Sequence, residues 1–151
     1  MLRTRLRDAL KISMKGKDAP TVSTLRLTLA AIKDRDIAAR GKGNKDGVTD
    51  DEILSLLQSM IKQRHESISL YEKGGRMELA QREAGEIAVI EEFLPEQMDD
   101  DEMAAVITAV IVDVGATSLK DMGKAMAALK ANHPGTMDFS KASAMVKERL
   151  S

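Results

Sequence analysis

Residues 60–95, MIKQRHESISLYEKGGRMELAQREAGEIAVIEEFLP, read as two helices folded back on each other at Gly74-Gly75. Placed at about 100° per residue, Ile53, Leu57, Met60, Ile61, Ile68 and Tyr71 share one face of a helix that runs to Lys73. Leu79, Ile87, Ile90, Phe93 and Leu94 share one face of the next, from Arg76 to Leu94-Pro95. Paired glycines end the first helix. The second should stop at Leu94, because a proline disfavours helical geometry in the residue before it. Arg64 falls inside the first apolar stripe, and Glu83 and Glu86 fall inside the second. Charges are rarely buried unpaired, since desolvation costs several kcal/mol per ion. The pattern therefore predicts a polar cluster of Arg64 with Glu83 or Glu86, within reach of Arg76.

Working outward, Leu2, Leu6, Leu10 and Met14 mark a first helix ending near Gly16. Leu25, Leu29, Ile32 and Ala39 mark a second, stopped by Gly41-Lys42-Gly43-Asn44. Thr49 with Glu52 is a capping box that starts the third. Beyond Pro95, Asp99 with Glu102 caps a fifth helix carrying Met103, Val106, Ile107, Val110, Ile111 and Val114. Ser118 opens a sixth with Leu119, Met122, Met126 and Leu129, and Asp138 a seventh with Phe139, Ala142, Val146 and Leu150. The expected architecture is all-α: a four-helix domain over 1–94, a linker at 95–98, and a three-helix domain over 99–151. Gly123 inside the sixth helix costs about 1 kcal/mol relative to Ala, which predicts close approach of a helix or of a partner there. The methionines at 103, 122, 126 and 145 suit core filling.

Composition agrees. Of 151 residues, 43% are hydrophobic and 2% aromatic, and straight-chain helix formers abound. The chain has no cysteine, which excludes disulfides, thiolate metal sites and cysteine nucleophiles. There is no run of about 18 apolar residues and no apolar stretch behind Met1-Leu2-Arg3 resembling a secretion signal. A cytoplasmic protein without a membrane span is expected.

The net charge of −1 hides an asymmetry: residues 1–45 balance to +8 and residues 46–151 to −9. Arg3, Arg7, Lys11 and Lys15 form a row at four-residue spacing on the first helix. Arg26, Lys33 and Arg40 form one at seven-residue spacing on the second, and Lys42 and Lys45 extend it into the glycine loop. Such rows meet phosphates in succession, giving affinity and salt dependence rather than sequence reading. No aromatic residue is interleaved for base stacking, so a structured RNA fits better than a single strand. The competing reading is an ordinary solvated face on which Asp8, Asp34 and Asp36 partly neutralise the cations.

The Arg64–Glu83–Glu86 group also has two readings. One is a structural ion pair that sets the register of the two helices. The other is acid–base chemistry by paired carboxylates, for which no nucleophile or Gly-rich pocket is evident. Glu83-x-x-Glu86 lacks the Glu-x-x-His pattern of helical di-iron sites, and no metal or cofactor is expected.

The run Ile61-Lys62-Gln63-Arg64, Glu66-Ser67-Ile68, Tyr71, Gly75-Arg76, Leu79-Ala80, Glu83, Glu86-Ile87 and Leu94-Pro95-Glu96-Gln97 resembles the GatB/YqeY family. Asp121-Met122-Gly123-Lys124-Ala125-Met126, the opening Leu-Arg-Thr-Arg-Leu-Arg-Asp-Ala-Leu-Lys and Ser23-Thr24-Leu25-Arg26 agree with it. The resemblance spans essentially the whole chain. The family's other branch is the tRNA-binding, all-helical C-terminal tail of the B subunit of glutamine-dependent aspartyl/glutamyl-tRNA amidotransferase. The resemblance thus implies a stand-alone relative of that tail, acting near tRNA or the amidotransferase and aminoacyl-tRNA machinery. It also implies Lys124, in the Gly-x-x-Met pattern, as an RNA phosphate contact. A family-level label of carbon–nitrogen ligase with glutamine as amido-N-donor would follow from that kinship. These residues, however, contain neither the kinase-like, Mg²⁺-binding body nor the glutaminase signature of the enzyme. The expectation is a non-catalytic tRNA-interacting or amidotransferase-associated protein with no evident small-molecule substrate. The alternatives are a protein–protein adaptor unrelated to RNA and, third, an enzyme using Glu83 and Glu86.

Overall fold

The computed structural model describes residues 1–151, which form seven α-helices and no strand. The chain divides into two compact units, Met1–Pro95 and Glu96–Ser151. The first holds α1 (Leu2–Lys15), α2 (Ala19–Gly41), α3 (Asp50–Lys73) and α4 (Met77–Glu91). The second holds α5 (Asp100–Asp113), a 3₁₀ turn (Leu119–Asp121), α6 (Met122–Asn132) and α7 (Phe139–Leu150).

Local chemistry accounts for most helix ends. The Asp18 carboxylate accepts from the Thr21 N–H at 3.3 Å at the start of α2, where Pro20 occupies the first turn. The Thr49 hydroxyl accepts from the Glu52 N–H (3.2 Å), and the Asp99 carboxylate accepts from the Glu102 N–H (2.8 Å). Asp138 caps α7 through the Ser140 and Lys141 N–H groups. Three expectations need correction. Helix α4 ends at Glu91, not Leu94, because the chain tightens there: Phe93 N–H donates to Ile90 C=O and Leu94 N–H to Glu91 C=O, each three residues back. Ser118 opens the 3₁₀ turn rather than α6, its N–H and that of Thr117 being held by the Asp121 carboxylate. Of the segment expected as a linker, Gln97 donates to the Gly135 carbonyl (2.6 Å) and Met98 N–H to the Thr136 carbonyl (2.7 Å), so both belong to the second unit.

In the first unit α1 pairs with α2 and α3 with α4, and α2 also packs on α4. Leu2, Leu6, Leu25, Ile32, Ile53, Leu57, Met60, Ile90 and Phe93 form the core. Thr24 and Thr28 are buried at four-residue spacing, each hydroxyl donating to the carbonyl one turn back (3.0 and 2.9 Å). Their polar groups are thereby satisfied inside the core. The α1 stripe behaves differently along its length. A four-residue spacing advances the side chain about 40° per step. Leu2 and Leu6 are therefore buried and Leu10 half-buried, whereas Met14 has turned out to 50% exposure.

One set of polar contacts ties three segments of this unit together. Arg3 donates to both oxygens of Asp36 (2.5 and 2.7 Å) and to the Val48 carbonyl (2.8 Å), while Asp36 also accepts from the Val48 N–H (2.9 Å). The two side chains are only 26% and 20% exposed. These contacts join the first turn of α1, the later half of α2 and the loop entering α3. Gly47 lies against them with φ +83°, and a Cβ there would stand 2.5 Å from an Asp36 oxygen. No side chain fits that position without pushing the pair apart.

The second unit is packed around Met103, Ile107, Val110, Ala125, Leu129, Met137, Ala142, Val146 and Leu150, with Met98, Met122, Met126, Met145 and Phe139 against them. Gly123 is exposed, and a Cβ there would meet nothing within 4 Å. Close approach between helices of this chain is therefore not its reason.

Gly47→Ala should lower unfolding free energy by about 2–3 kcal/mol, since it combines a strained φ with displacement of the Arg3–Asp36 pair; chemical denaturation measures it. The Arg3 guanidinium, together with the Val48 N–H, holds the Asp36 carboxyl down to about 2, against an ordinary 3.8. A depressed carboxyl stabilises the fold fully above the ordinary value and loses that contribution as pH falls through the folded one. Denaturation between pH 4 and pH 2 should accordingly depend less on pH in Asp36→Asn than in the wild type.

Candidate nucleic-acid interface

Of the two acids that the apolar stripes offer to Arg64, the α3–α4 hairpin brings Glu86 to it. Arg64 Nε donates to Glu86 Oε2 at 2.9 Å and its Nη1 to the Met60 carbonyl at 3.1 Å, with the side chains only 13% and 18% exposed. Arg82 reaches the other Glu86 oxygen at 3.9 Å. Burial, and after it the Glu86 carboxylate, raises the Glu83 pKa above the usual 4.5, against a weaker opposing pull from Arg64. Arg76 takes no part: its Nε pairs with Glu78 at 2.8 Å, two residues on and exposed. The cluster thus has one well-made charge pair and one carboxyl that gains little from being ionised.

These roles separate the two acids by experiment. Glu86→Ala leaves the Arg64 guanidinium partly buried without its partner and should cost about 2–3 kcal/mol of stability. Glu83→Gln removes a charge that burial and Glu86 disfavour, so its thermal midpoint at pH 7 should equal or exceed that of the wild type.

The basic rows lie on α1 and α2, which run antiparallel: Arg3 meets Asp36 at one end, and Met14 faces Val22 and Leu27 at the other. Arg3 departs from its expected role, being held by Asp36 and Val48 rather than free to meet phosphate. The other six cations, Arg7, Lys11, Lys15, Arg26, Lys33 and Arg40, are exposed. None of them forms an ion pair. The acids that might have neutralised them do little of it. Asp36 is engaged by Arg3, while Asp8 and Asp34 enter no ion pair. Arg40 sits near enough to Asp36 to help depress its pKa, which places the α2 row beside the Arg3 clasp. The arrangement presents a positively charged surface made from two packed helices.

Lys124 is exposed in the first turn of α6, beside Asp121. The Asp121 carboxyl is held below its ordinary range by the Thr117 and Ser118 N–H groups and, more weakly, by Lys124. This lysine is therefore a less bare cation than those on α1 and α2. Two participants have no signal in the sequence. Arg5 stacks over Phe93, 5.5 Å from the ring centre, and donates to the Glu92 carbonyl at 3.3 Å. Gly47 is one glycine among ten, and only its contact with Asp36 sets it apart. No helix of the chain is long and apolar enough to cross a membrane.

Comparison with known proteins matches residues 3–150 to the family described as YqeY-like protein. An uncharacterized protein of Schizosaccharomyces pombe is 33% identical over 95 residues, covering 63% of this chain and 73% of that protein. Altered inheritance of mitochondria protein 41, mitochondrial, from Lachancea thermotolerans is 35% identical over 89 residues, covering 59% of this chain and 46% of that protein. The protein of the same name from a Saccharomyces cerevisiae strain is 29% identical over the same length and shares. The matched part spans less than half the length of these mitochondrial relatives.

Proposed function

This chain belongs to the YqeY-like family, and from that membership and the bare cations of α1 and α2 we propose a non-catalytic protein that binds tRNA along its α1–α2 face. The observation that carries the reading is that Arg7, Lys11, Lys15, Arg26, Lys33 and Arg40 are all exposed without an acidic partner. Cations without an acidic partner can neutralise phosphates and release the counterions condensed on the nucleic acid. Along α1 the cations recur about every 6 Å and along α2 about every 10 Å, a ladder suited to a backbone rather than to a compact ligand. With no aromatic residue in α1 or α2, contact is to phosphate, sugar and shape. Kinship with the helical tail of the amidotransferase B subunit favours tRNA among structured RNAs, and with it a role beside the amidotransferase or aminoacyl-tRNA machinery. A carbon–nitrogen ligase label would then describe the kin and not this chain. The proposal puts the protein in the cytoplasm with its tRNA; the mitochondrial designation is that of the fungal relatives. Lys124 supplies a further phosphate contact from the second unit.

Titration with total tRNA should give binding that weakens about 10³-fold between 50 and 200 mM salt if six phosphates are neutralised. A Lys11→Glu, Lys33→Glu double variant should bind at least tenfold more weakly with an unchanged thermal midpoint. Absence of binding at 50 mM salt, or binding indifferent to salt, would remove the RNA role.

A further inference from the structure

Where the α1 stripe turns away from the core, it leaves an open groove of about 640 Å³ between the end of α1 and the start of α2. Its apolar walls are Met14, Ala19, Val22 and Leu27, and Lys17 and Arg26 line it as well. Met14 and Leu27 are 50% and 52% exposed, although both are large apolar side chains on well-formed helices. Lys17 is also the only non-glycine residue of the chain with a positive φ (+55°). Glycine would hold that position after α1 with less strain, so a lysine there sets a cation at the groove edge against a local backbone preference. The one acid beside it, Asp18, is engaged by the Thr21 N–H and hydroxyl.

We propose that this groove docks an acidic amphipathic helix of a partner protein, whose apolar side chain enters between Met14, Val22 and Leu27 while its carboxylates meet Lys17 and Arg26. Charge complementarity selects the occupant: the groove is lined by two cations and no carboxylate, and it lies in the segment of the chain that balances to +8. An apolar cleft with a charged edge is the form in which helices are received by grooves, and a methionine wall adapts to the inserted side chain. Nucleic acid offers no aliphatic knob for such walls, and the groove has no aromatic ring on which a base would stack. A bilayer surface takes up protruding apolar faces rather than filling a cleft. Small-molecule sites enclose most of their ligand, which a groove open between two helices does not. The inference does not rest on tRNA binding, although Arg26 belongs to both surfaces.

The test uses the full chain with ¹³C-labelled methionine and leucine methyl groups. The probe is a synthetic helical peptide with leucines at i, i+4 and i+7 and glutamates between them; its counterpart carries lysines in place of glutamates. The acidic peptide should shift the Met14 and Leu27 methyl signals and bind at least tenfold more tightly than the basic one. Met14→Ser and Leu27→Ser, both at exposed positions, should each reduce that binding at least tenfold while circular dichroism and tRNA affinity stay as in the wild type. Lys17→Gly should weaken it severalfold and leave the protein at least as stable. Equal binding of the two peptides, or methyl signals that fail to move, would overturn the proposal. Methyl shifts produced by tRNA and not by the acidic peptide would overturn it too, assigning the groove to RNA.

Discussion

The Arg3 guanidinium is the fastening on which the first unit depends. It is the point where the start of α1, the later half of α2 and the loop into α3 meet, and each is bound to it or to its partner Asp36. A half-buried charge of this kind has to be paired, because leaving either partner alone costs more than the pair contributes. The surrounding chain is shaped to that requirement. Gly47 supplies a backbone with no side chain where the carboxylate needs room, and Val48 offers both its N–H and its carbonyl. By engaging Arg3 and Asp36 with each other, the fold also sorts the charges of α1 and α2. One cation and one acid are withdrawn into structure, and the rest remain in water.

A comparable sorting occurs in the α3–α4 hairpin, where the density of charge in the sequence is highest. Arg64 and Glu86 are taken inside and matched, Glu83 is left half-buried beside them, and Arg76 and Glu78 pair at the surface. The charges that look most eventful along the chain are thus largely absorbed by packing. Those that look routine, spaced along α1 and α2, are the ones that stay available to a partner. Surface ion pairs contribute little to stability, so bare cations on a helix can be retained for binding at small cost to the fold.

Much of the architecture is legible in the sequence, for reasons that are local. Thr49, Asp99 and Asp138 each cap a helix because an oxygen two or three bonds from Cα reaches an N–H within the next three residues. Gly74-Gly75 and the apolar stripes are equally short-range signals, and the in-stripe positions of Arg64, Glu83 and Glu86 point to a cluster without saying which acid Arg64 takes. What escaped the sequence depends on distant residues. Arg3 and Arg7 occupy equivalent places in one row, and only Asp36, far along the chain, separates a structural arginine from a surface one. Met14 belongs to the same four-residue repeat as Leu2, yet the slow rotation of that repeat carries it off the core. Gly123 suggests close approach of a helix or of a partner, and no helix of this chain approaches it. The family likeness rests on order and spacing over the whole length, which is why it could be read without knowing which cation does what.

The cores of the two units are made of different materials. The first is largely leucine and isoleucine with one buried methionine, Met60. In the second, Met103 and Met137 are fully buried and Met98, Met122, Met126 and Met145 line the same interior. Methionine is soft and fills irregular space, but its thioether is also the side chain that oxidants reach in a chain without cysteine. A sulfoxide in that interior would place a polar, chiral group among apolar neighbours. Oxidation that reaches that interior would therefore loosen the second unit, whereas oxidation of the exposed Met14 on α1 would alter a surface and leave the core of the first unit in place.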